Sequence, residues 1–423
     1  MVIHHFVGLY RTAMSSKVRS ILVLGVGTVL GLTVALGASV VSQRYVHRQV
    51  AETTATSPEY LALLGEVIER VRREYVDQID DRQLVEGAIR GIVEELDQHS
   101  RFLDSSEYED IRIATSGLYT GVGLDLRLRE GRIVVVEPLA GAPAERAGIL
   151  PGDVVISVDE APVDANNIES TINRMRGASG TPVTLGLMRD GELAPRHFVL
   201  ERTEIQVQTV HGRYLGDGYA YVRLSGFADN TAGDLDRTAR ALRAEAGREL
   251  EGLVLDLRDN PGGVLGSAVQ VADLFLGEGL IVRGNGRARQ ARFAEYAHPG
   301  ASLEHVPLAV LINSGSASAS EIVAGALQDH ERGRLVGERT YGKGSVQSVL
   351  PLGGGNAIKL TTSRYLTPSG RSINETGIEP DFTIAGAGPD GHIPRRAAFS
   401  DDEQLRTALR LIGYDPIKLS RAP

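Results

Sequence analysis

Two stretches of this chain, Leu253-Val-Leu-Asp-Leu257 and Pro307-Leu-Ala-Val-Leu-Ile312, are almost unbroken apolar runs, and each leads through a turn of small residues into helical spacing. A strand that is apolar on both faces needs cover on both, which is the situation of a strand inside an α/β sheet. The first run continues into Asp256-Leu-Arg-Asp-Asn-Pro-Gly-Gly263 and a helix over 264–276. The second continues into small hydroxyl-bearing residues and a helix over 318–330. A strand at Tyr219–Leu224 and a helix at Thr231–Ala246 come before them. Strands at Ser345–Leu350 and Ala357–Tyr365 come after, and one helix, 401–411, stands in the tail. From Gly218 onward the chain therefore reads as α/β.

At 423 residues the chain exceeds one small core and suits two or three domains. Leu61, Leu64, Ile68, Val71 and Tyr75, then Val85, Ile89, Ile92 and Leu96, recur at helical spacing, so two amphipathic helices are expected before Asp97-Gln-His-Ser100. Short strands follow at Gly121–Leu126, Arg132–Glu137, Val154–Val158, Pro182–Arg189 and His197–Glu201, with helices at 142–148 and 168–176. The expected divisions are a cytoplasmic N-terminus over 1–19, a signal anchor or signal peptide over 20–43, a helical segment over 58–105, a strand-rich domain over 107–204, an α/β core over 205–385 and a tail over 386–423.

Ser20 to Gln43 carries no charge, and Lys17 and Arg19 precede it. About 20 apolar residues cross a bilayer, and basic residues before such a run hold the N-terminus inside. The rest of the chain is expected to be exported, into the periplasm or another extracytoplasmic space, and held at the membrane by an uncleaved anchor. The net charge of −9, without a large basic block, argues against nucleic acid as a partner. The absence of cysteine removes disulfides, thiolate catalysis and cysteine-ligated metal sites. No metal or other cofactor is called for.

The chemistry concentrates at Ser314-Gly-Ser-Ala-Ser-Ala-Ser-Glu321. A serine where a strand turns into a helix lies beside backbone N–H groups of the helix N-terminus, the geometry of an oxyanion hole. Ser316, Ser318 and Ser320 alternate, so spacing does not choose among them, and Ser318-x-x-Glu321 is also a capping box. A serine hydroxyl needs a base. No Gly-x-Ser-x-Gly elbow occurs, and none of the ten histidines sits in a segment of catalytic character; His330 reads as the cap of its helix. Lys343, between Gly342 and Gly344, can enter a tight site. To act as base its pKa must fall from about 10.4 towards roughly 7–8. Gln347, four residues on, is placed to hold that lysine. The paired Gly262 and Gly263 leave N–H groups uncovered for an oxyanion, and the choice between them stays open. No phosphate-loop spacing is present.

These segments resemble the carboxy-terminal processing peptidases, or tail-specific proteases, over about 58–385. In that family the middle serine of the three attacks, which points to Ser318. The Gly337-Glu-Arg-Thr-Tyr-Gly-Lys-Gly-Ser-Val-Gln347 segment is similar to the one carrying its lysine base and supporting glutamine, hence Lys343 and Gln347. Asn260-Pro-Gly-Gly263 resembles the loop giving one oxyanion donor, and Ala319 N–H would be the other. Gln98 and Tyr341 depart from the family's proline and phenylalanine. The strand-rich domain resembles a PDZ domain, with Gly121, Val122, Gly123 and Leu124 in the loop that captures a peptide's terminal carboxylate and the 168–176 helix as a groove wall. The resemblance implies a multidomain α/β fold with a crotonase-like core, an inserted PDZ domain and a helical N-terminal segment. It also implies a serine endopeptidase acting on polypeptides with free apolar C-termini, with room for an activating lipoprotein or adaptor and for a homo-oligomer. The alternatives are a non-catalytic PDZ adaptor with a degenerate core, and a Ser-x-x-Lys acyltransferase, which Glu321 at the lysine position argues against.

Overall fold

The computed structural model describes residues 57–164, 167–386 and 402–415. Ser20–Gln43 lies outside the described residues. Among those described, no helix is long and apolar enough to cross a membrane. The chain divides into two units, Met1–Ile89 and Arg90–Pro423. The first holds the helix Pro58–Glu74, which opens on a proline with Glu59 in its first turn and closes on Arg72 and Arg73, each charge complementing the helix dipole. The helix Asp81–Glu94 begins in this unit.

The second unit is built around a six-stranded sheet ordered Val210–Gly216, Tyr219–Leu224, Gly252–Asp256, Leu308–Ile312, Arg334–Gly337 and Phe382–Thr383. The first pair is antiparallel and all the others are parallel. The two apolar runs occupy its centre, and side chains alternate across the sheet. Leu253, Leu255, Val310 and Ile312 pack with Leu235, Val271 and Val323 of the helices Thr231–Ala246, Leu265–Asp273 and Ala319–Asp329. Val254, Ala309 and Leu311 pack on the opposite face with Leu405, Ala408 and Leu409 of the helix Glu403–Leu411. The segment set apart as a tail thus supplies the second cover. It is tied down by the fully buried Arg258, which donates to Asp256 (2.7 Å), Asp402 (2.8 Å) and Gln404 (2.9 Å).

A second sheet joins Arg101–Leu103, Ala357–Leu366, Leu280–Gly286 and Phe293–Tyr296, with Ser345–Pro351 also paired to Ala357–Leu366. A third, antiparallel, is ordered Leu124–Arg129, Arg132–Pro138, Val154–Val158, Pro182–Met188 and Arg196–Glu201 around a small core of Ile133, Val135, Val155, Leu185 and Leu187. The single strand expected over Gly121–Leu126 is two. Leu118–Gly121 pairs with Thr203–Gln206, and a new strand starts at Leu124, because Gly123 at φ 75° turns the chain between them. The helix Ser105–Ser116, not anticipated above, has a full capping box of Asp104 and Glu107 and ends at Gly117 in the left-handed region.

Candidate active site

The strand Leu308–Ile312 delivers the three alternating serines, and their surroundings differ. Ser316 is fully buried, and its hydroxyl donates to the Leu257 carbonyl (2.8 Å). Ser320 is equally buried and donates to the Asn260 carbonyl (2.9 Å). Both hydroxyls bolt the serine turn to the Asp256–Gly263 loop. Ser318 is half-buried, its hydroxyl is not spent on a buried carbonyl, and it lines a cavity of about 950 Å3. Its backbone is at φ 57°, ψ −111°, a conformation that non-glycine residues rarely adopt and that has to be held by its surroundings. Three contacts hold it. The Glu321 carboxylate accepts from the Ser318 N–H (2.8 Å), the Asn260 carbonyl accepts from the Ala317 N–H (3.0 Å), and Gly262 lies so close that a Cβ there would stand 2.9 Å from that of Ser318.

Lys343 lines the same cavity, as do Gln347, Lys359 and Tyr365. Burial lowers the Lys343 pKa from its ordinary value, partly offset by the negative charge of Glu321. No hydrogen bond links Ser318 Oγ and Lys343 Nζ. Catalytic hydrogen bonds of ligand-free sites are often loose and tighten with substrate.

The glycine pair separates by hydrogen bonding. The Gly262 N–H donates to Asn260 Oδ1 (2.9 Å). The Gly263 N–H has no such partner, and Gly263 lines the cavity beside Ala319, the first residue of its helix. A first-turn N–H has no acceptor within the helix. Two free donors, on Gly263 and Ala319, thus flank Ser318.

Gln347 does not bond to the lysine. Its amide nitrogen donates to the Ser345 hydroxyl (2.9 Å) and, at 3.4 Å, to the Thr361 hydroxyl. Thr361 donates onward to Asp97 (3.2 Å), which also accepts from the N–H groups of His99 and Ser100. Asp97-Gln-His-Ser100 had shown only a helix end, yet burial and the Lys343 charge both lower the His99 pKa, so this segment lies beside the lysine. Its Asp-x-x-Ser pattern was a legible signal for a tight turn, but nothing local said what that turn would face. Among the described residues, no group of three or more acidic or histidine side chains is arranged to hold a metal. His330 caps its helix and bonds the Leu280 carbonyl (2.7 Å). Gln98 and Tyr341 are both exposed.

Three sequence families match this chain. Residues 218–384 match peptidase family S41, 120–195 the PDZ domain, and 22–106 the N-terminal domain of the activating protease CtpB. The carboxy-terminal-processing protease of Bartonella bacilliformis is 42% identical over 325 residues, covering 77% of this chain and 75% of the relative. The chain belongs to the carboxy-terminal processing proteases. It is an S41 serine peptidase with a PDZ domain and a mixed α/β, multi-sheet fold. The carboxy-terminal processing protease CtpB of Bacillus subtilis is 35% identical over 330 residues, or 76% of this chain and 67% of that one. Among solved structures, a photosystem II D1 C-terminal processing protease is 32% identical, covering 78% of this chain and 94% of that one at a TM-score of 0.45.

The peptidase's PDZ domain carries the second group of expected site residues. Gly121, Val122, Gly123 and Leu124 form the connection between the strands Leu118–Gly121 and Leu124–Arg129. The Val122 and Gly123 carbonyls accept from the N–H groups of Ala144 and Leu139 (both 3.0 Å), which pins the loop from behind. The strand Leu124–Arg129 is at the end of its sheet. Leu124, Leu126 and Ile168, from the helix Ile168–Met175, pack at the margin of the small core.

Proposed function

We propose that this peptidase cleaves exported polypeptides near their C-termini with Ser318 as nucleophile and Lys343 as base, on a crotonase-like core. The observation that carries this reading is the unequal fate of the three serines. Ser316 and Ser320 have their hydroxyls committed to buried carbonyls, whereas the Ser318 hydroxyl donates to no buried carbonyl and lines the cavity that Lys343 also lines. Neutral Lys343 takes the proton as Ser318 Oγ bonds to the scissile carbonyl carbon. The N–H groups of Ala319 and Gly263 receive the oxyanion. The protonated lysine passes its proton to the leaving amine, which departs as the C–N bond breaks. Lysine, neutral again, then deprotonates the water that releases the acyl group. Gln347 orders the wall beside the lysine through Ser345 and Thr361.

The open edge of Leu124–Arg129 suits an extended peptide added as a further strand, with its terminal carboxylate on the 121–124 loop. Recognition there gates the active site. What supports the gate is the helix Ser105–Ser116. Tyr108, Glu109 and Arg112 on it line the catalytic cavity, and its Asp110 pairs with Arg176 at the end of the PDZ helix. Export and anchoring rest on the uncharged Ser20–Gln43 segment behind Lys17 and Arg19. An activating lipoprotein or adaptor and a homo-oligomer are compatible with this arrangement.

The test is the protein from Ser57 onward, with its Ser318→Ala and Lys343→Ala variants, on an unfolded substrate with an apolar tail, free or amidated. Both variants are expected to be inactive and amidation to slow the wild type. Activity surviving in Lys343→Ala removes lysine as the base, and equal rates on the two tails remove carboxylate recognition.

A further inference from the structure

Glu321 is fully buried at the third position of its helix and faces four donors from two separate segments. Its Oε2 accepts from the backbone N–H of Ser318 (2.8 Å) and of Lys343 (2.9 Å). Its Oε1 accepts from the Thr340 hydroxyl (2.5 Å) and the Gly342 N–H (2.7 Å). On the other side of the same two residues stands Tyr365, only 2% exposed. Its hydroxyl meets the Ser318 carbonyl at 3.0 Å and also contacts the Lys343 carbonyl. A phenol has one proton to donate. The Ser318 carbonyl already accepts from the N–H groups of Glu321 (2.9 Å) and Ile322 (3.1 Å) of its own helix. The tyrosine proton therefore goes to the Lys343 carbonyl, and the hydroxyl packs against that of Ser318.

Ser318 and Lys343 are thus joined through the backbone, N–H to N–H across one carboxylate, while one hydroxyl bonds the Lys343 carbonyl and rests against the Ser318 carbonyl, and their side chains share no bond. We propose that Glu321 and Tyr365 form a two-sided clamp that sets the relative position of nucleophile and base, and that both are positioning residues for the reaction. The proposal rests on the Ser318–Lys343 mechanism above. An apolar contact would join two loops as firmly, but it would not fix the peptide groups from which both reacting side chains depart. The clamp also opposes the burial of the base, since the Glu321 charge favours protonated Lys343. The other groups that bear on this lysine are His99 and Lys359, the latter on the strand Ala357–Leu366 with Arg101 near it. Tyr365 is kept neutral, its pKa pushed well up by burial and then by the Glu321 charge.

The experiment measures kcat, KM and the pH profile on a peptide with an apolar free C-terminus, for the purified protein and for Tyr365→Phe, Glu321→Gln, Ser318→Ala and Lys343→Ala. Active sites are counted with a fluorophosphonate. Misplacing catalytic groups by about 1 Å costs up to roughly 100-fold, so Tyr365→Phe is expected to lower kcat per titrated site by about 10-fold or more at nearly unchanged KM. Its acid limb stays in place. Glu321→Gln is expected to lower kcat further and to move the acid limb to lower pH, since the lysine loses a nearby negative charge. Wild-type kcat per site in Tyr365→Phe, with both alanine references dead, overturns the clamp alone, and this variant decides the matter even where Glu321→Gln does not fold. Activity in Ser318→Ala or Lys343→Ala overturns the mechanism and the clamp with it.

Discussion

The loops Asn260–Gly263 and Gly121–Leu124 are made of similar material and are held differently. Each follows a strand, each contains two glycines, and each is proposed to offer backbone N–H groups, the first to a carbonyl oxygen and the second to a carboxylate. Around the first, the nearest neighbours are main chain. A Cβ on Gly263 would stand 2.1 Å from the Phe227 carbonyl oxygen, and one on Gly262 would stand 2.7 Å from that of Ala317. Around the second, the neighbours are side chains: the Ala142 methyl, 2.2 Å from a Cβ on Gly123, and the Tyr119 ring, 3.0 Å from one on Gly121. Paired backbone does not move aside, and the Ala142 methyl is fixed to its own main chain, whereas the Tyr119 ring beside Gly121 can turn. The first loop suits stabilising a charge that lasts for one step. The second suits tails that differ from one another.

The largest effect that would sharpen this contrast is Gly263→Ala. Phe227 and Gly263 form a parallel β-bridge, so the methyl collides with paired backbone, and φ 145° at Gly263 adds strain. Loss of one oxyanion donor costs about 100- to 1,000-fold in kcat. We expect at least that, with KM much less affected, measured by steady-state hydrolysis. A KM effect alone would place the oxyanion elsewhere. Next comes Gly123→Ala in the PDZ loop. With φ 75° and the Ala142 methyl in the way, the loop distorts, and kcat/KM should fall by about tenfold for free tails and hardly at all for amidated ones, as fits loss of a charge-assisted carboxylate contact. Equal losses on both tails would make the two loops alike.

A smaller and more diagnostic effect belongs to the catalytic region alone. Protonated lysine cannot accept the serine proton, so kcat/KM falls as pH drops through the Lys343 pKa, which burial places below the ordinary lysine value. Lys359 and Lys343 are like charges close enough to interact. Replacing Lys359 with Met removes that repulsion, raises the Lys343 pKa and moves the acid limb to higher pH; an unmoved limb would separate the two amines. The least effect is expected for Gly121→Ala, whose new methyl meets only the Tyr119 ring of its own strand and has an ordinary backbone angle. Its kcat/KM should stay within about twofold, since the buried methyl asks only that the ring turn aside.

Much of the core was legible because burial leaves a periodic trace. The runs Leu253–Leu257 and Pro307–Ile312 announced strands covered on both faces, and the helices after them were placed to within a few residues. The Leu280–Gly286 and Phe293–Tyr296 strands left no such trace, being short and rich in glycine, arginine and other residues that alternate poorly. The helix Ser105–Ser116 did leave one, in Asp104-Ser-Ser-Glu107 and the closing Gly117, but with none of its residues buried it lacks the apolar stripe that draws attention to a helix. At the site, the serine segment and Lys343 stood out by composition. Glu321 showed only its local role as a capping residue, and Tyr365 only the end of a strand, since what they do depends on residues 22 positions away on each count.

Local chemistry alone, through residue size, φ preference and hydrophobic period, determined that this chain would place a serine and paired glycines at strand-to-helix turns, and that a lone lysine between glycines would follow. It left three serines and two glycines equivalent. Only the folded arrangement separated them, by spending the Ser316 and Ser320 hydroxyls on buried carbonyls and the Gly262 N–H on Asn260, and by leaving the Ser318 hydroxyl and Gly263 at the cavity. A hydrogen-bonding group has few places to give, and which of them are taken is decided by neighbours that the fold brings in from far along the chain.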